Sequence, residues 1–246
     1  MKIVAMIPAR YNSERLPGKL MMDLGGIPLI LRTYNSAKKS GLFNEVYVIT
    51  DSKIIFELIK KNGGIAFMSS KKHDSGSDRI AEFANDIEAD LILNVQGDEP
   101  FIDKPSLKKL IGIFNNDSQC KIELASLMQT INNKDEISNP NNVKVVVSKD
   151  NYALYFSRSV IPYNRSNDSK IKYYKHIGVY AFRKDSLIDF YKSKSSSLEK
   201  SEKLEQLRYL DNGKKIKMVN TDYKGYGIDV MEDLINARKM INAKNS

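Results

Sequence analysis

Three cations stand within ten residues of one another near the start of the chain, in Pro8-Ala9-Arg10-Tyr11-Asn12-Ser13-Glu14-Arg15-Leu16-Pro17-Gly18-Lys19. The apolar run before them, residues 3–7, has the length of a buried strand. Pro8, Pro17 and Gly18 restrict the turn that carries Arg10, Arg15 and Lys19. A stiff cationic loop at the carboxyl end of a first strand is where open α/β sheets bind ligands, and its charge asks for a polyanion such as a nucleoside triphosphate. A solvated basic loop is the plainer alternative, but it requires neither the stiffness nor the position.

A second group of residues supplies the opposite charge. Asn94-Val95-Gln96-Gly97-Asp98-Glu99-Pro100 ends an apolar run in a glycine turn that presents an acidic pair. Hard carboxylate oxygens beside a phosphate loop suit Mg²⁺, which takes one or two carboxylates and completes its shell with substrate phosphates. Asp98, directly after the glycine, is the better metal candidate of the two; a solvated loop acid is the equal alternative. Asp229, in Gly225-Tyr226-Gly227-Ile228-Asp229, reads either as the cap of the following helix or as a second metal carboxylate brought in from late in the chain. His73-Asp74-Ser75-Gly76-Ser77-Asp78-Arg79 places small residues before a helix start. Its free N–H groups and hydroxyls suit either plain capping by Ser75 or Ser77, or the reading of a flat base edge with Arg79 reaching a ribose or phosphate.

The elements that must hold these residues alternate in type. Residues 2–7, 45–50, 65–68 and 90–95 read as strands, and 27–40, 53–62, 77–87 and 104–114 as helices, with Asp51 or Ser52 capping the second helix. This β-α-β-α-β-α-β order predicts a parallel sheet with right-handed crossovers. The second half changes character. Residues 122–130, 143–148, 152–156 and 176–182 read as strands with few helices between them, and Asp150-Asn151 as a hairpin turn. An antiparallel or mixed extension of the sheet follows. Residues 164–172 form a polar loop, and a Ser/Lys-rich stretch over 194–203 leads into a helix through Arg208. Residues 215–220 form a last strand and 231–242 a terminal helix, with a frayed tail.

Composition excludes several classes. At 246 residues the chain suits one domain, and its 41% apolar content supports a sizeable core. The net charge of +9 is spread along the whole length, without the clustered basic and aromatic stripe of a nucleic-acid-binding module, and fits a small polyanionic substrate. Cys120 is the only cysteine, so neither an internal disulfide nor a cysteine-rich zinc site can form. No apolar run approaches the length of a membrane helix and no secretory leader heads the sequence, so a cytoplasmic location is expected.

Six segments in order extend the pattern: Pro-Ala-Arg-Tyr with Arg-Leu-Pro-Gly-Lys, His-x-Ser-Gly-x-x-Arg, Asn-Val-Gln-Gly-Asp-Glu-Pro, Tyr152-Ala153-Leu154-Tyr155-Phe156-Ser157-Arg158, His176-Ile177-Gly178-Val179-Tyr180, and Leu204-Glu205-Gln206-Leu207-Arg208. Together they resemble the 3-deoxy-manno-octulosonate (Kdo) cytidylyltransferases, over nearly the whole chain from Ile3 to about Asp233. The resemblance implies a Rossmann-like nucleotidyltransferase fold with a central mixed sheet. It implies a single domain, residues 1–120 mainly nucleotide-binding and 121–246 mainly sugar-binding and dimerising. The implied reaction converts CTP and Kdo to CMP-Kdo and pyrophosphate with Mg²⁺, in a homodimer serving lipopolysaccharide biosynthesis. Arg10, Arg15 and Lys19 correspond to triphosphate ligands, and Ser75, Gly76 and Arg79 to the cytidine site. Gln96 corresponds to a position between nucleotide and sugar. Asp98 and Asp229 correspond to the metal ligands, with Lys19 beside them at the catalytic centre. Arg158, His176, Tyr180, Glu205 and Gln206 correspond to the sugar-acid pocket.

The chain departs from the family pattern in two places. Asp229-Val230-Met231-Glu232-Asp233 replaces the usual Asp-Thr-Pro-Glu-Asp, and residues 164–174 are shorter than usual. A cytidylyltransferase for 8-amino-Kdo or a sialic acid is the nearest alternative, although sialic acid enzymes usually open with a glycine-richer loop than Tyr11-Asn12-Ser13. A non-catalytic nucleotide-binding regulator is the alternative from a different class; Lys19, Asp98 and Asp229 argue against it.

Overall fold

A computed structural model of the chain describes residues 1–13, 15–166, 170–223 and 227–245. Its elements in chain order begin β1 (Ile3–Ala9), α1 (Leu29–Lys39), β2 (Glu45–Thr50), α2 (Lys53–Lys61), β3 (Ile65–Met68), α3 (Gly76–Ala81), β4 (Leu91–Val95) and α4 (Lys104–Asn115). They continue with β5 (Leu124–Ile131), α5 (Lys134–Ser138), β6 (Lys144–Val147), β7 (Ala153–Ser157), β8 (Tyr173–Arg183), α6 (Lys184–Lys192), α7 (Ser197–Glu202), α8 (Gln206–Asp211), β9 (Ile216–Asn220) and α9 (Met231–Asn245). The chain divides into two compact units, Met1–Leu107 with Lys224–Ser246, and Lys108–Tyr223.

In the first unit the strands lie in the order β3-β2-β1-β4, and all three pairings are parallel. All of β4 and all of β1 after Ile3 are buried, which is why both read as unbroken apolar runs rather than as alternating ones. Parallel strands point their carboxyl ends the same way, so the turns after β1, β2 and β4 open at one edge. The helices begin where the sequence places polar caps. Ser52 accepts from the Ile55 N–H at 3.4 Å to start α2, and Ser75 accepts from the Asp78 N–H at 3.1 Å to start α3.

The expected helix over 77–87 is shorter, because it breaks after Ala81 and resumes only as a 3₁₀ turn, Ala84–Asp86. At the break the Phe83 N–H bonds Ile80 O at 3.2 Å, a 3₁₀-type contact, and its ring stacks on Phe67 with centroids 5.1 Å apart. At the other end of the chain, α9 runs on to Asn245, through the stretch expected to fray.

In the second unit β5 pairs antiparallel with β8 and parallel with β9, so the arrangement here is mixed, as expected. β6 and β7 form the expected hairpin. Asn151 takes the left-handed conformation (φ 55°), and the Ser148 N–H closes the turn on Tyr152 O at 2.8 Å. The expected helix through Arg208 is α8; the Ser/Lys-rich stretch before it forms a helix of its own, α7, which ends at Lys203, also left-handed (φ 54°). A capping box starts α7: Ser196 Oγ accepts from the Glu199 N–H at 3.1 Å, and Glu199 accepts in return from the Ser196 N–H. The short α5 and the amphipathic α6, which buries Leu187 and Phe190, add to the elements expected from the sequence.

Candidate active site

The turn after β1 is built from the inside outward. Leu16 and Leu20 are buried and anchor it, and the Lys19 N–H bonds Leu16 O at 3.1 Å. The Lys19 stem is thereby drawn inside, with only 8% of the side chain exposed. Its ammonium emerges between two carboxylates, donating to Asp98 Oδ2 at 2.6 Å and to Asp229 Oδ1 at 3.2 Å. Arg15 donates to the same Asp229 oxygen at 2.9 Å, from a side chain that is 49% exposed. The structure therefore brings together in one unit two acids separated by 131 positions, with a cation between them. Burial works against the Lys19 charge, but Asp98, then Asp229, and the hydrogen bonds to both outweigh it and raise its pKa.

Gly97 explains how Asp98 gets there. A Cβ at this position would lie 2.9 Å from the Pro8 carbonyl oxygen, so the turn after β4 passes the end of β1 too closely for any side chain. The buried Thr33 hydroxyl on α1 donates to Gly97 O at 2.8 Å and holds the turn down. Asp229 is brought alongside by the backbone: the Ile228 N–H bonds Asp98 O at 2.9 Å. The anticipated cap for α9 is reversed, because the Asp233 carboxylate accepts from the Asp229 and Val230 N–H groups at 2.9 and 3.0 Å. That leaves the Asp229 carboxylate directed at Lys19 and Arg15. Gly225 and Tyr226 of this motif, and Glu14 of the opening loop, lie outside the described residues.

The other first-unit candidates surround the start of α3. A Cβ on Gly76 would stand 3.0 Å from Gln96 Oε1 and 3.1 Å from Pro8 Cγ, so Gly76, Gln96 and the end of β1 are in contact. Gln96 donates to Asn94 Oδ1 at 3.3 Å, and Asn94 to Ser77 Oγ at 3.0 Å. Ser75 donates to Asp78 Oδ2 at 2.8 Å. Arg79 is buried; its Nη2 donates to Asp51 at 2.8 Å, while Nη1 has no hydrogen-bond partner among the described residues. Arg10 is exposed at the end of β1.

The remaining candidates belong to the second unit, where three of the five meet. Tyr180 donates to Gln206 Oε1 at 3.1 Å, and Gln206 Nε2 lies 3.5 Å from His176 Nδ1. On its other side His176 Nε2 lies 2.9 Å from Ser126 Oγ. Burial pushes the His176 pKa down to about 3, so the imidazole is neutral, and burial raises that of Tyr180, with the Glu205 charge adding to it. Glu205 precedes α8, half-buried. Arg158, at the end of β7, shares no hydrogen bond with this trio among the described residues and is held by Glu202 and by the Pro140 carbonyl.

The family profile described as Cytidylyltransferase matches residues 4–216. A 3-deoxy-manno-octulosonate cytidylyltransferase of Flavobacterium johnsoniae is 58% identical over 98% of this chain and 99% of its own length. One of Christiangramia forsetii is 54% identical over 98% of this chain and 97% of its own. This chain belongs to the 3-deoxy-manno-octulosonate cytidylyltransferase family. A solved structure of CMP:2-keto-3-deoxy-manno-octonic acid synthetase complexed with CTP, 38% identical, superposes with a TM-score of 0.92 over 99% of this chain and 100% of that one. 4-Diphosphocytidyl-2C-methyl-D-erythritol synthase from Anaerococcus prevotii, 20% identical with a TM-score of 0.62 over 98% of each chain, shares the fold.

Two acids of this cytidylyltransferase that pair with candidate residues were not singled out by sequence reasoning. Asp51, considered only as a helix cap, pairs with Arg79; its place at the carboxyl end of β2 is the same signal that singled out Asp98. Glu202, in a lysine-rich stretch, gave no signal at all.

Proposed function

We propose that the chain transfers the cytidylyl group of CTP to 3-deoxy-D-manno-octulosonate, giving CMP-Kdo and pyrophosphate, as a soluble cytoplasmic homodimer supplying lipopolysaccharide synthesis. The observation that carries this reading is the convergence of Asp98 and Asp229 on the Lys19 ammonium, in a chain whose relatives bear that activity in their names. The sugar's anomeric hydroxyl oxygen bonds to the α-phosphorus and gives up its proton to solvent, the bond from that phosphorus to the α–β bridging oxygen breaks, and pyrophosphate leaves. Such a displacement asks the protein for positioning and charge neutralisation rather than covalent chemistry. Arg10, Arg15 and Lys19 hold the triphosphate, and Lys19 steadies the departing pyrophosphate. Ser75, Gly76 and Arg79 read the cytidine, with Gln96 on the sugar side. Arg158, His176, Tyr180, Glu205 and Gln206 form the sugar-acid pocket. The neutral His176 serves there as a hydrogen-bonding group, not as an acid.

The donor set fits Mg²⁺. Asp98 and Asp229 are hard carboxylates that already gather around one positive charge. Among the described residues no group of three or more His, Cys, Asp or Glu could hold a metal ion, so the pair suits an ion that draws its remaining ligands from phosphate oxygens. Bound there, the ion would neutralise phosphate charge as a Lewis acid. Among the described residues no helix is long and apolar enough to cross a membrane. Leu154 and Tyr163, 63% and 85% exposed, are apolar surface that a second copy would cover.

Pyrophosphate release decides the substrate. With CTP and Mg²⁺, Kdo should support turnover well above 8-amino-Kdo or a sialic acid. Preference for either of those would move the sugar assignment, and no release with any sugar would leave only nucleotide binding.

A further inference from the structure

Lys144 is a fully buried lysine with, among the described residues, no carboxylate in ion-pair range. Its ammonium instead donates to three carbonyl oxygens: Arg158 at 2.6 Å, Asn142 at 2.6 Å and Asn139 at 3.0 Å. Burying an ammonium with no direct ion pair is costly: burial lowers its pKa, the Arg158 charge acts the same way, and the Glu202 carboxylate offsets only part of this. A cheaper side chain would serve if the site needed only packing. Glu202, at the end of α7, grips the same backbone from the other side. Its Oε1 accepts from the Ser157 hydroxyl at 2.6 Å and its Oε2 from the Arg158 N–H at 3.0 Å. Its main-chain carbonyl accepts from Arg158 Nε at 2.8 Å, while Pro140 O takes Nη1 at 3.1 Å.

Every backbone group of Arg158 and two of its three guanidinium nitrogens are thus tied to two jaws, the 139–144 segment and the end of α7. The Nη2 end makes no hydrogen bond among the described residues. A guanidinium fixed on one side and open on the other is a preorganised donor for a carboxylate, and the rotamer entropy of the arginine is lost on folding rather than on binding.

We propose that Lys144 and Glu202 are positioning residues that aim Arg158 Nη2 at the carboxylate of the acidic sugar. This rests on the assignment of Arg158 to the sugar-acid pocket. The substrate class it selects is a sugar bearing a carboxylate at the reacting end; a neutral sugar gains nothing from the clamp.

The test is steady-state kinetics of the full chain with Kdo and CTP varied separately, alongside thermal melting. Glu202→Gln should raise KM for Kdo about tenfold by weakening the anchor of one charge-assisted contact, and leave KM for CTP within about twofold. Ser157→Ala, which removes only the hydroxyl from Glu202, should raise KM for Kdo by about threefold and keeps the idea testable if the first variant melts early. Arg158→Ala should exceed both, and Arg158→Ala combined with Glu202→Gln should be no worse than Arg158→Ala alone. Equal rises in both KM values, or effects that multiply in the double variant, would overturn the clamp. So would an unchanged Glu202→Gln beside an impaired Arg158→Ala, with the sugar pocket left standing. If Arg158→Ala itself leaves KM for Kdo untouched, the pocket assignment fails and the clamp with it.

Discussion

Lys19 and Arg15 contact the same carboxylate, yet their surroundings give them different weights. Lys19 is almost wholly enclosed and bridges two acids, whereas Arg15 meets one of them at the surface. Exposed ion pairs contribute about 0–1 kcal/mol, so Arg15→Met should lower stability very little. Lys19→Met leaves Asp98 without its cation and Asp229 with Arg15 alone. Turnover should fall by at least about a hundredfold, with a smaller change in KM for Kdo, because the loss is of charge stabilisation at the leaving group. Pyrophosphate release at saturating Kdo distinguishes the two variants; equal losses would show that the number of cations, not their position, matters. Asp98→Asn should cost turnover on a similar scale while the fold survives, since Asp98 keeps a quarter of its side chain in solvent.

Two glycines separate the demands of elements from those of composition. Gly97 lies so close to the β1 carbonyl that any Cβ must push backbone aside, and Thr33 holds it from the other face. Gly97→Ala should cost about 1–3 kcal/mol in urea unfolding, and should reduce turnover because the displaced turn carries Asp98. At Gly112, inside α4, nothing lies within 4 Å of the place an alanine methyl would take, so Gly112→Ala should stabilise by up to about 1 kcal/mol through helix propensity alone. Opposite signs for the two substitutions are the measurement that checks this reading. The same contrast marks what was legible at this scale. β2 and β3 have the ends that the sequence predicts, because short β-branched or apolar runs bounded by caps and glycines are local signals. The break after Ala81 and the division at Lys203 were not legible: the first lies where Phe83 stacks on Phe67, and the second at a lysine in the left-handed conformation, which that residue type does not announce.

The whole molecule should be sensitive to acid. His176 is neutral in the fold, with a pKa of about 3 against about 6.5 in an unfolded chain. Between those values the unfolded state binds a proton that the folded state does not, so stability is fully present above pH 6.5 and falls as the pH drops toward 3. The loss attributable to this group is on the order of a few kcal/mol. Melting temperature measured from pH 7.5 to 4.5 should decline, and His176→Gln should flatten that decline; identical profiles would show that other groups govern the acid limb. CTP offers a second global readout. A ligand present at a hundred times its dissociation constant stabilises by about 2.7 kcal/mol, so CTP should raise the melting temperature by several degrees.

The sequence by itself determined the alternation of strands and helices, the parallel first half, the cationic turn after β1 and the acid turn after β4. Each of these is written in neighbouring residues through periodicity, caps and glycines. It also carried enough ordered motifs to suggest the family. Only the tertiary structure decided that Asp229 turns away from its own helix toward Lys19, that His176 is an enclosed neutral ring, and that Lys144 and Glu202 converge on Arg158. Those pairings join residues from 14 to 210 positions apart, and no local propensity records which distant carbonyl or carboxylate will be there when a side chain is buried.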